Sequence, residues 1–300
     1  MATVVARDSR PGLRRRFSAA LYRRPGLKLV FLLLPPLAWM VVVYLGSLSL
    51  LFVSSFWRVD PFTSAIVHRW GLDNFKTILT EPAFRATAVR TAGIAAAVTV
   101  TDVLLAFPIA YYAARLATPR VRNALLVAVV LPLWSNYLVR VFAWRTILAE
   151  GGLADSFLGL IGLPGVRLGF TNWAVWIAFC YLWLPFVILP IYVALERIPR
   201  SLLEASGDLG ARPWTTFRDV VFPLAFPGVV AGSIFAFSLT LGDYITPSLV
   251  GNTRFIGNVI FEFVGVSGNV PIAAAYGLVP VAIMAVYLFV ARRLRAFEAL

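Results

Sequence analysis

Residues 29–56 read LVFLLLPPLAWMVVVYLGSLSLLFVSSF, and this stretch decides the class of the protein because it contains no charged side chain. About 20 consecutive apolar residues are enough for a helix to cross the hydrocarbon core of a bilayer. A secretory signal peptide has a shorter apolar stretch that ends at a small-residue cleavage site. We therefore expect this stretch to be a first transmembrane helix that stays in place.

The composition of the whole chain supports this interpretation. The 300 residues are 60% hydrophobic and only 14% charged, with a mean hydropathy of +0.83. Soluble domains have about 45–50% apolar and about 25% charged residues. The composition excludes an ordinary soluble domain and a disordered chain, and the length allows about six spans of about 20–25 residues.

Five further apolar runs follow the first, which predicts an all-α polytopic membrane protein. We expect a basic segment over residues 1–28, a single transmembrane domain over 29–292 and a tail over 293–300. No internal repeat is visible in the sequence. The six predicted spans are residues 29–56, 91–114, 123–148, 172–195, 221–242 and 271–291.

The basic residues predict the orientation of these spans. Two-thirds of the lysine and arginine residues lie in the N-terminal segment, in alternate connections and in the C-terminal tail, and cytoplasmic loops carry such an excess. We therefore predict that both termini are inside. The net charge of +13 then reflects topology and lipid headgroup contacts rather than nucleic-acid binding. The predicted outer loops 58–87, 149–171 and 247–270 are rich in Gly, Pro, Asn and aromatic residues, which favours re-entrant or interfacial segments.

Counts of single residue types exclude several kinds of chemistry. Cys180 is the only cysteine and His68 the only histidine, which leaves no internal disulfide, thiolate cluster, bis-histidine haem site or ordinary zinc site. The only lysines, Lys28 and Lys76, do not lie in a phosphate-binding loop motif. We expect a non-catalytic chain that binds no metal or cofactor of its own.

The connection between the predicted fourth and fifth spans, residues 196–222, contains signals for a short helix. Ser201 and Glu204 stand at the spacing of a capping box. Gly210 stands where a left-handed C-terminal cap would fall, and Pro213 prevents continuation. These signals predict a helix of two to three turns, which a second short amphipathic helix follows.

Two interpretations of this short helix remain open on physical grounds. It can dock into a groove of another protein, because it combines small residues with apolar anchors. It can also rest on lipid headgroups as an interfacial helix. The small residues are Ala205, Ser206 and Gly207, and the apolar anchors are Leu202, Leu203 and Leu209.

The same segment resembles the Glu-Ala-Ala loop of ABC-importer permeases. The sequence departs from the family at Ser206, Val220 and Phe222, where the family has Ala, Ile and Leu. These positions tolerate such changes in side-chain size. The matching positions are Glu204, Ala205, Ser206, Gly210, Phe217, Val220, Phe222 and Pro223.

The resemblance implies a type I ABC-importer permease with six spans in the cytoplasmic (inner) membrane of a bacterium. It implies a coupling helix over 200–213, seated in a cleft of a cytoplasmic ATPase. Two ATPase subunits that use ATP and Mg²⁺, a second permease (homologous or identical) and an extracytoplasmic solute-binding protein are the implied partners. The implied coupling residues are Ser201, Leu202, Leu203, Glu204, Ala205, Ser206, Asp208, Gly210 and Ala211.

Two further stretches resemble the spermidine/putrescine-type branch of these permeases. They are LVRVFAWR at 138–145, followed by Gly151 and Gly152, and LGDYITPSLVG at 241–251. The resemblance implies that the chain forms half of the pathway for a small, cationic solute.

Carboxylates inside the predicted spans are candidate pathway residues, because a charge near the bilayer centre costs at least about 2.5–3.5 kcal/mol on insertion scales. Asp102 is either a pathway or gate residue, or a structural carboxylate bonded to a hydroxyl or arginine of a neighbouring helix. Asp243, with Tyr244 beside it, either attracts an amine or caps a helix end. Glu262 leaves the same two interpretations open.

Aromatic and arginine side chains near the predicted third span have two interpretations as well. Trp134, Tyr137 and Trp144 form either a wall for alkylammonium ligands or an interfacial belt. We expect Arg140 and Arg145 to reach the outer interface or to pair with carboxylates; a direct role for them argues against a polycationic cargo.

Two other classes of function compete with an ATP-driven importer. An ion-gradient-driven secondary transporter would favour an inverted repeat and broken helices that carry ion ligands. A membrane-embedded enzyme would need a clustered catalytic set, and the cysteine and histidine counts oppose its metal and thiol versions.

Overall fold

A computed structural model describes residues 25–160 and 168–293 of the chain. The predictions for the basic segment before residue 25 and for the tail after residue 293 lie outside the described residues. The chain divides into two compact units, one ending at Ser54 and the other beginning at Ser55. The single transmembrane domain over 29–292 stays a prediction.

The first unit is one apolar helical rod. It consists of α1 (Pro25–Trp39), a π-helical segment (Met40–Leu45) and α2 (Gly46–Ser54). Pro35 and Pro36 lie inside α1, and because proline lacks an N–H group, the normal hydrogen-bond ladder is interrupted there. Most side chains between residues 29 and 52 are exposed within the unit, as a lipid-facing helix requires.

The second unit begins with a two-stranded antiparallel hairpin in which Arg58 pairs with Val67. All its longer elements are helices. Its elements are β1 (Arg58–Val59), β2 (Ile66–Val67), α3 (Asp73–Thr80), α4 (Pro82–Tyr111), α5 (Pro119–Val130), α6 (Tyr137–Leu148), α7 (Leu153–Leu160), α8 (Asn172–Glu196), α9 (Arg200–Asp208), α10 (Pro213–Thr216), α11 (Phe222–Gly242), α12 (Ile245–Val250), α13 (Ile256–Gly265) and α14 (Val270–Arg293).

Five helices in the described residues are long and apolar enough to cross a membrane, and a sixth crossing is a bent pair. The all-α, six-span prediction is therefore confirmed, with one span broken. The five helices are Leu29–Ser54, Pro82–Leu116, Asn172–Glu196, Pro213–Gly242 and Val270–Arg293.

The third span is not the continuous helix that we predicted over 123–148. The segments Pro119–Trp134 and Tyr137–Leu148 are bent by 96° relative to each other. The Ser135 hydroxyl donates to the carbonyl of Pro132 at 2.7 Å, and the Asn136 side chain accepts from the N–H of Leu138 at 2.8 Å. These local bonds end one helix and begin the next.

The second and fifth spans begin earlier than predicted. Proline occupies the first turn in both cases, Pro82 in α4 and Pro213 in α10, a position where its missing N–H costs nothing. A π-helical segment (Phe217–Val221) joins α10 to α11. The second short helix that we predicted after α9 is therefore present as α10, and it continues through the π-helical segment into the fifth span.

The core of the second unit lies where α8 packs between α4 and α11. Two glycines of α11 allow the helices to approach closely: a Cβ at Gly228 would lie 2.5 Å from the Cβ of Ala194, and one at Gly232 would lie 3.0 Å from the backbone of Val187. Gly228 and Gly232 form a Gly-x-x-x-Gly pair. Such pairs bring transmembrane helices together by van der Waals packing.

A smaller cluster joins α3, α13 and α14 through buried Ile78, Ile256 and Tyr276. Polar bonds tie this cluster to α4. The Tyr276 hydroxyl donates to the carbonyl of Phe84 at 2.9 Å, and the N–H of Ile256 donates to Thr91 Oγ1 at 3.1 Å. The helices after the fifth span are therefore anchored to the second span.

Candidate functional site

The short helix α9 forms between the fourth and fifth spans, as predicted, but it begins differently. Pro199 is the N-terminal cap, and no side chain caps the helix. Ser201 therefore lies inside the first turn, and the predicted capping box with Glu204 was wrong. Gly210 has φ +77°, which confirms the left-handed position that ends this segment.

The exposed face of α9 carries most of the predicted coupling residues. Leu209 is 88% exposed and Leu202 is 43% exposed. Leu203 instead packs against the protein's own core, so it is not free to anchor a partner. The other exposed positions are Ser201, Glu204, Ala205, Gly207, Asp208 and Gly210.

Two ties hold this segment to the membrane helices. The Ser206 hydroxyl lies 2.9 Å from the Thr216 hydroxyl, which joins α9 to the start of the fifth span. The Arg115 guanidinium donates to the carbonyls of Leu195 and Ile198, just before α9. The segment is therefore fixed at both ends while its outward face is left open.

A second cluster of polar groups forms at the end of α11. Asp243 Oδ1 accepts from the N–H groups of Ile245 at 2.7 Å and Thr246 at 3.3 Å, which are the first two residues of α12. Asp243 Oδ2 accepts from the hydroxyl of Thr246 at 2.9 Å and from that of Tyr137. A carboxylate has about four lone-pair sites, and all four are occupied here.

Asp243 and Tyr137 border an open cleft of about 420 Å³. The indole of Trp183 also lines it and stacks on the Tyr137 ring, with centroids 6.1 Å apart and planes at 12°. The cleft thus combines one carboxylate with aromatic rings. Its lining residues are Tyr137, Trp183, Ser238, Leu239, Gly242 and Asp243.

Two arginines of α6, which we expected to reach the outer interface or to pair with carboxylates, contact aromatic rings. The Arg140 guanidinium lies 5.9 Å from the centroid of the Tyr137 ring, and that of Arg145 lies 5.6 Å from the Phe170 ring. Neither pairs with a carboxylate within the described residues. Arg140 therefore places a positive charge next to the cleft.

The other predicted pathway residues lie apart from the cleft lining. Asp102 is completely buried and has the Cys180 thiol of α8 beside it. Glu262 pairs with Arg254 at 3.3 Å. Tyr244 stacks on Phe261 with centroids 4.9 Å apart. Trp134 is 89% exposed at the break in the third span and lines a separate apolar hollow.

Sequence reasoning missed several residues of this site, among them Thr246 and Trp183. Thr246 stands three residues after Asp243, and its N–H and hydroxyl groups both donate to that carboxylate, as Asp side chains commonly bond backbone groups a few residues away. Trp183 lies in a continuous apolar span and carries no charge. Nothing in the local pattern distinguishes it from a core residue.

Comparisons with known proteins agree with this architecture. Residues 106–297 match the family described as "Binding-protein-dependent transport system inner membrane component". The inner membrane ABC transporter permease protein YdcU of Escherichia coli K12 is 45% identical over 99% of both chains. The spermidine/putrescine transport system permease protein PotB of the same strain is 31% identical over 84% of this chain and 92% of its own.

A solved structure shares the fold. The bacterial alginate ABC transporter, crystallised in complex with an alginate pentasaccharide-bound periplasmic protein, superposes with a TM-score of 0.68 at 18% identity, and covers 93% of this chain and 98% of its own. The matched family and the two relatives cover most of the described spans. The chain therefore belongs to the binding-protein-dependent transport system inner membrane components and is a permease subunit of an ABC importer.

Proposed function

We propose that this permease subunit forms half of the pathway by which an ATP-driven importer carries a small amine-bearing solute of the putrescine or spermidine class into a bacterial cell. The names of two relatives support this solute class: PotB, and the spermidine/putrescine permease PotC of Escherichia coli K12, which is 38% identical over 33% of this chain. PotC and PotB carry the name of one transport system, which supports a second, homologous permease as partner.

The other proposed partners are a solute-binding protein and two ATPase subunits, which would bind on opposite sides of the membrane. The solved neighbour was crystallised with a periplasmic protein, which supports a solute-binding protein as the donor of solute. Two ATPase subunits that use ATP and Mg²⁺ would bind at the opposite end, where α9 lies. The second, third and fourth spans lie between the hairpin and α9 in the chain. If each of these spans crosses the membrane once and both termini are inside, the hairpin is outside and α9 is inside.

The open face of α9 is the observation that carries the coupling part of this proposal. A helix with Leu202, Leu209 and small residues exposed fits an apolar cleft of another protein. Glu204 and Asp208 are exposed on the same helix, and carboxylates are unfavourable next to anionic lipid. A protein cleft is therefore a better environment for α9 than a membrane surface.

The cleft at Asp243 suggests how an ammonium group would be held. All four lone-pair sites of the carboxylate are already occupied, so it acts through its charge rather than by a new hydrogen bond. The stacked rings of Tyr137 and Trp183 add the faces that attract cations. The charge of Arg140 beside Tyr137 opposes a second positive charge at that end, which within this solute class favours a short diamine over a longer polyamine.

ATP binding in the partner would move α9, and the spans would pass from inward-facing to outward-facing. This requires a helix bundle with two states whose balance is shifted from a distant site. Membership of this family supports such an importer over the ion-gradient-driven and enzymatic alternatives.

Two measurements test the proposal. Tagged chain purified from its native membrane is expected to retain an ATPase and a second permease, and recovery of the chain alone would contradict the coupling part. The solute-binding protein that docks on it is then titrated with putrescine, spermidine, amino acids and sugars. Binding of a sugar or an acidic solute with no binding of amines would overturn the proposed solute class.

A further inference from the structure

Arg115, at the end of the second span, bonds the backbone just before α9. The carbonyl of Ile198 accepts from Arg115 Nη2 at 2.7 Å, and the carbonyl of Leu195 accepts from the same nitrogen. The last four carbonyls of a helix have no partner within it. The carbonyl of Leu195 also accepts from the N–H of Ile198 at 3.3 Å. Arg115 therefore adds a donor from another helix, 80 residues earlier in the chain, to the turn between α8 and α9.

The same end of the second span also contacts the segment that follows α9. The ring of Phe217, at the start of the fifth span, meets Phe107 edge-on at 5.6 Å and Tyr111 at 6.3 Å between centroids. The Ser206 hydroxyl joins α9 to Thr216, next to that ring. The second span thus holds both the entry to α9 and the exit from it.

We propose that Arg115 is a positioning residue that transmits movement of α9 to the second span, so that the coupling helix moves the second, fourth and fifth spans as one body. This inference rests on the proposed function, because it needs an ATPase that displaces α9. Without Arg115, the carbonyls of Leu195 and Ile198 would lose their bonds to the second span, and part of the movement of α9 would be lost in bending at Ile198 and Pro199.

Arginine suits this position because both carbonyls accept from Nη2, whose two N–H groups lie in the guanidinium plane in a fixed geometry. Lysine keeps the charge, but its ammonium group lies on a flexible stem and holds the two carbonyls less rigidly. Arg122 provides a matched comparison close by. It pairs with Glu196 at 3.5 Å between side chains that are 38% and 48% exposed, and exposed pairs of this kind contribute little.

The experiment uses the complete complex, with ATPase, partner permease and solute-binding protein, in proteoliposomes. Solute uptake and ATP hydrolysis are measured together for the wild type and for Arg115→Gln, Arg115→Lys and Arg122→Gln. We expect the number of solutes imported per ATP to fall about tenfold for Arg115→Gln, within the range of typical coupling free energies. The ratio for Arg115→Lys should lie between those of Arg115→Gln and the wild type, and the ratio for Arg122→Gln should equal the wild-type ratio. The amount of ATPase that co-purifies should be the same for all variants.

A wild-type ratio in Arg115→Gln would overturn the inference. If Arg115→Gln fails to assemble, Arg115→Lys decides: an intermediate ratio supports the inference and a wild-type ratio overturns it. A fall in uptake and hydrolysis by the same factor, with the ratio unchanged, would indicate a merely structural role and would also overturn it. Failure of the wild-type chain to bind an ATPase would instead contradict the proposed function, so the two failures are distinguishable.

Discussion

Tyr137 donates its hydroxyl proton to the carboxylate of Asp243, which lies 106 residues later in the chain. The bond joins the second arm of the broken third span to the end of the fifth span. Thr246 Oγ1 lies 2.7 Å from the same tyrosine oxygen. This arrangement fixes one wall of the cleft, and it depends on the bend that brings the first residue of α6 to the end of α11.

Replacement of Asp243 by Asn should lower the uptake of an amine about tenfold, a factor that corresponds to about 1.4 kcal/mol. The negative charge is lost, while the amide oxygen can still accept from the first N–H groups of α12. Uptake in proteoliposomes and basal ATP hydrolysis are measured side by side, and hydrolysis should change little. Tyr137→Phe is the control, because it keeps the ring and removes only the hydroxyl bond. Equal uptake in wild type and Asp243→Asn would show that the charge of Asp243 has no role in the pathway.

Replacement of Gly210 by Val should weaken the association with the ATPase. At φ +77° a β-branched residue is strained, although no atom lies within 4 Å of the position. Gly210→Asn is the matched variant, since asparagine tolerates the left-handed region. Co-purification should show less ATPase with Val and near-normal ATPase with Asn. An equal loss for both would mean that the side chain itself, rather than backbone strain, blocks docking.

Replacement of Gly228 by Val should destabilise the chain by about 1–3 kcal/mol, as overpacking does. Its Cβ would meet Ala194 and the backbone of Pro190 at 2.5 and 2.7 Å, so α8 and α11 must separate. Thermal unfolding in detergent measures the effect. Gly93→Ala on α4 is the control, because nothing lies within 4 Å of that position; it should unfold at or above the wild-type temperature. A wild-type midpoint for Gly228→Val would contradict the close helix contact.

The hairpin turn should loosen in acid. Backbone N–H groups of Thr63 and Phe62 donate to Asp60 Oδ1 at 2.9 and 2.8 Å, and these bonds hold the pKa of that carboxyl below its ordinary value of 3.8. A lowered pKa means that the stabilisation is present above the ordinary value and is lost as the pH falls through the folded value. Amide hydrogen exchange at Phe62 and Thr63, corrected for intrinsic rates, should lose protection there. Asp60→Asn should abolish the pH dependence, and its persistence would point to another group.

Replacement of Asp102 by Leu should raise the unfolding temperature and leave uptake unchanged. Both carboxylate oxygens are buried without an oxygen or nitrogen partner in the described part of the chain, and an apolar residue of similar volume removes the cost of burying them. The position lies between α4 and α8, away from the cleft lining. Asp102→Asn is the matched polar variant. Loss of uptake in Asp102→Leu at unchanged stability would favour the pathway interpretation instead.

The bend of the third span shows how local bonds can override composition. Residues 123–148 are apolar enough for one helix, and Pro132 was visible in the sequence. A single proline is tolerated in many spans, as Pro185 and Pro190 in α8 show. What ends the helix at residue 134 is the combination of Pro132 with the bonds of Ser135 and Asn136.

Some residues of the candidate site could be predicted from the sequence and others could not. Gly210 was predictable because few residues other than glycine enter the left-handed region easily. The capping box at Ser201 was not a reliable signal, because Pro199 takes the cap position first. Neither Trp183 nor Arg115 could be recognised from its sequence neighbours. Trp183 stacks on Tyr137, which lies 46 positions away, and Arg115 bonds Leu195, which lies 80 positions away.

The sequence by itself determined that the chain has apolar helices long enough to cross a bilayer, approximately where most of them lie, and that a short helix stands between the fourth and fifth spans. These properties depend on apolar runs, charge placement and residues with restricted backbone angles, and each acts over a few neighbouring positions. Only the tertiary structure decided which polar groups meet. In a span, a polar side chain must find its partner on another helix, and the choice of that helix depends on the packing of Gly228 and Gly232 on α8 and on the 96° bend.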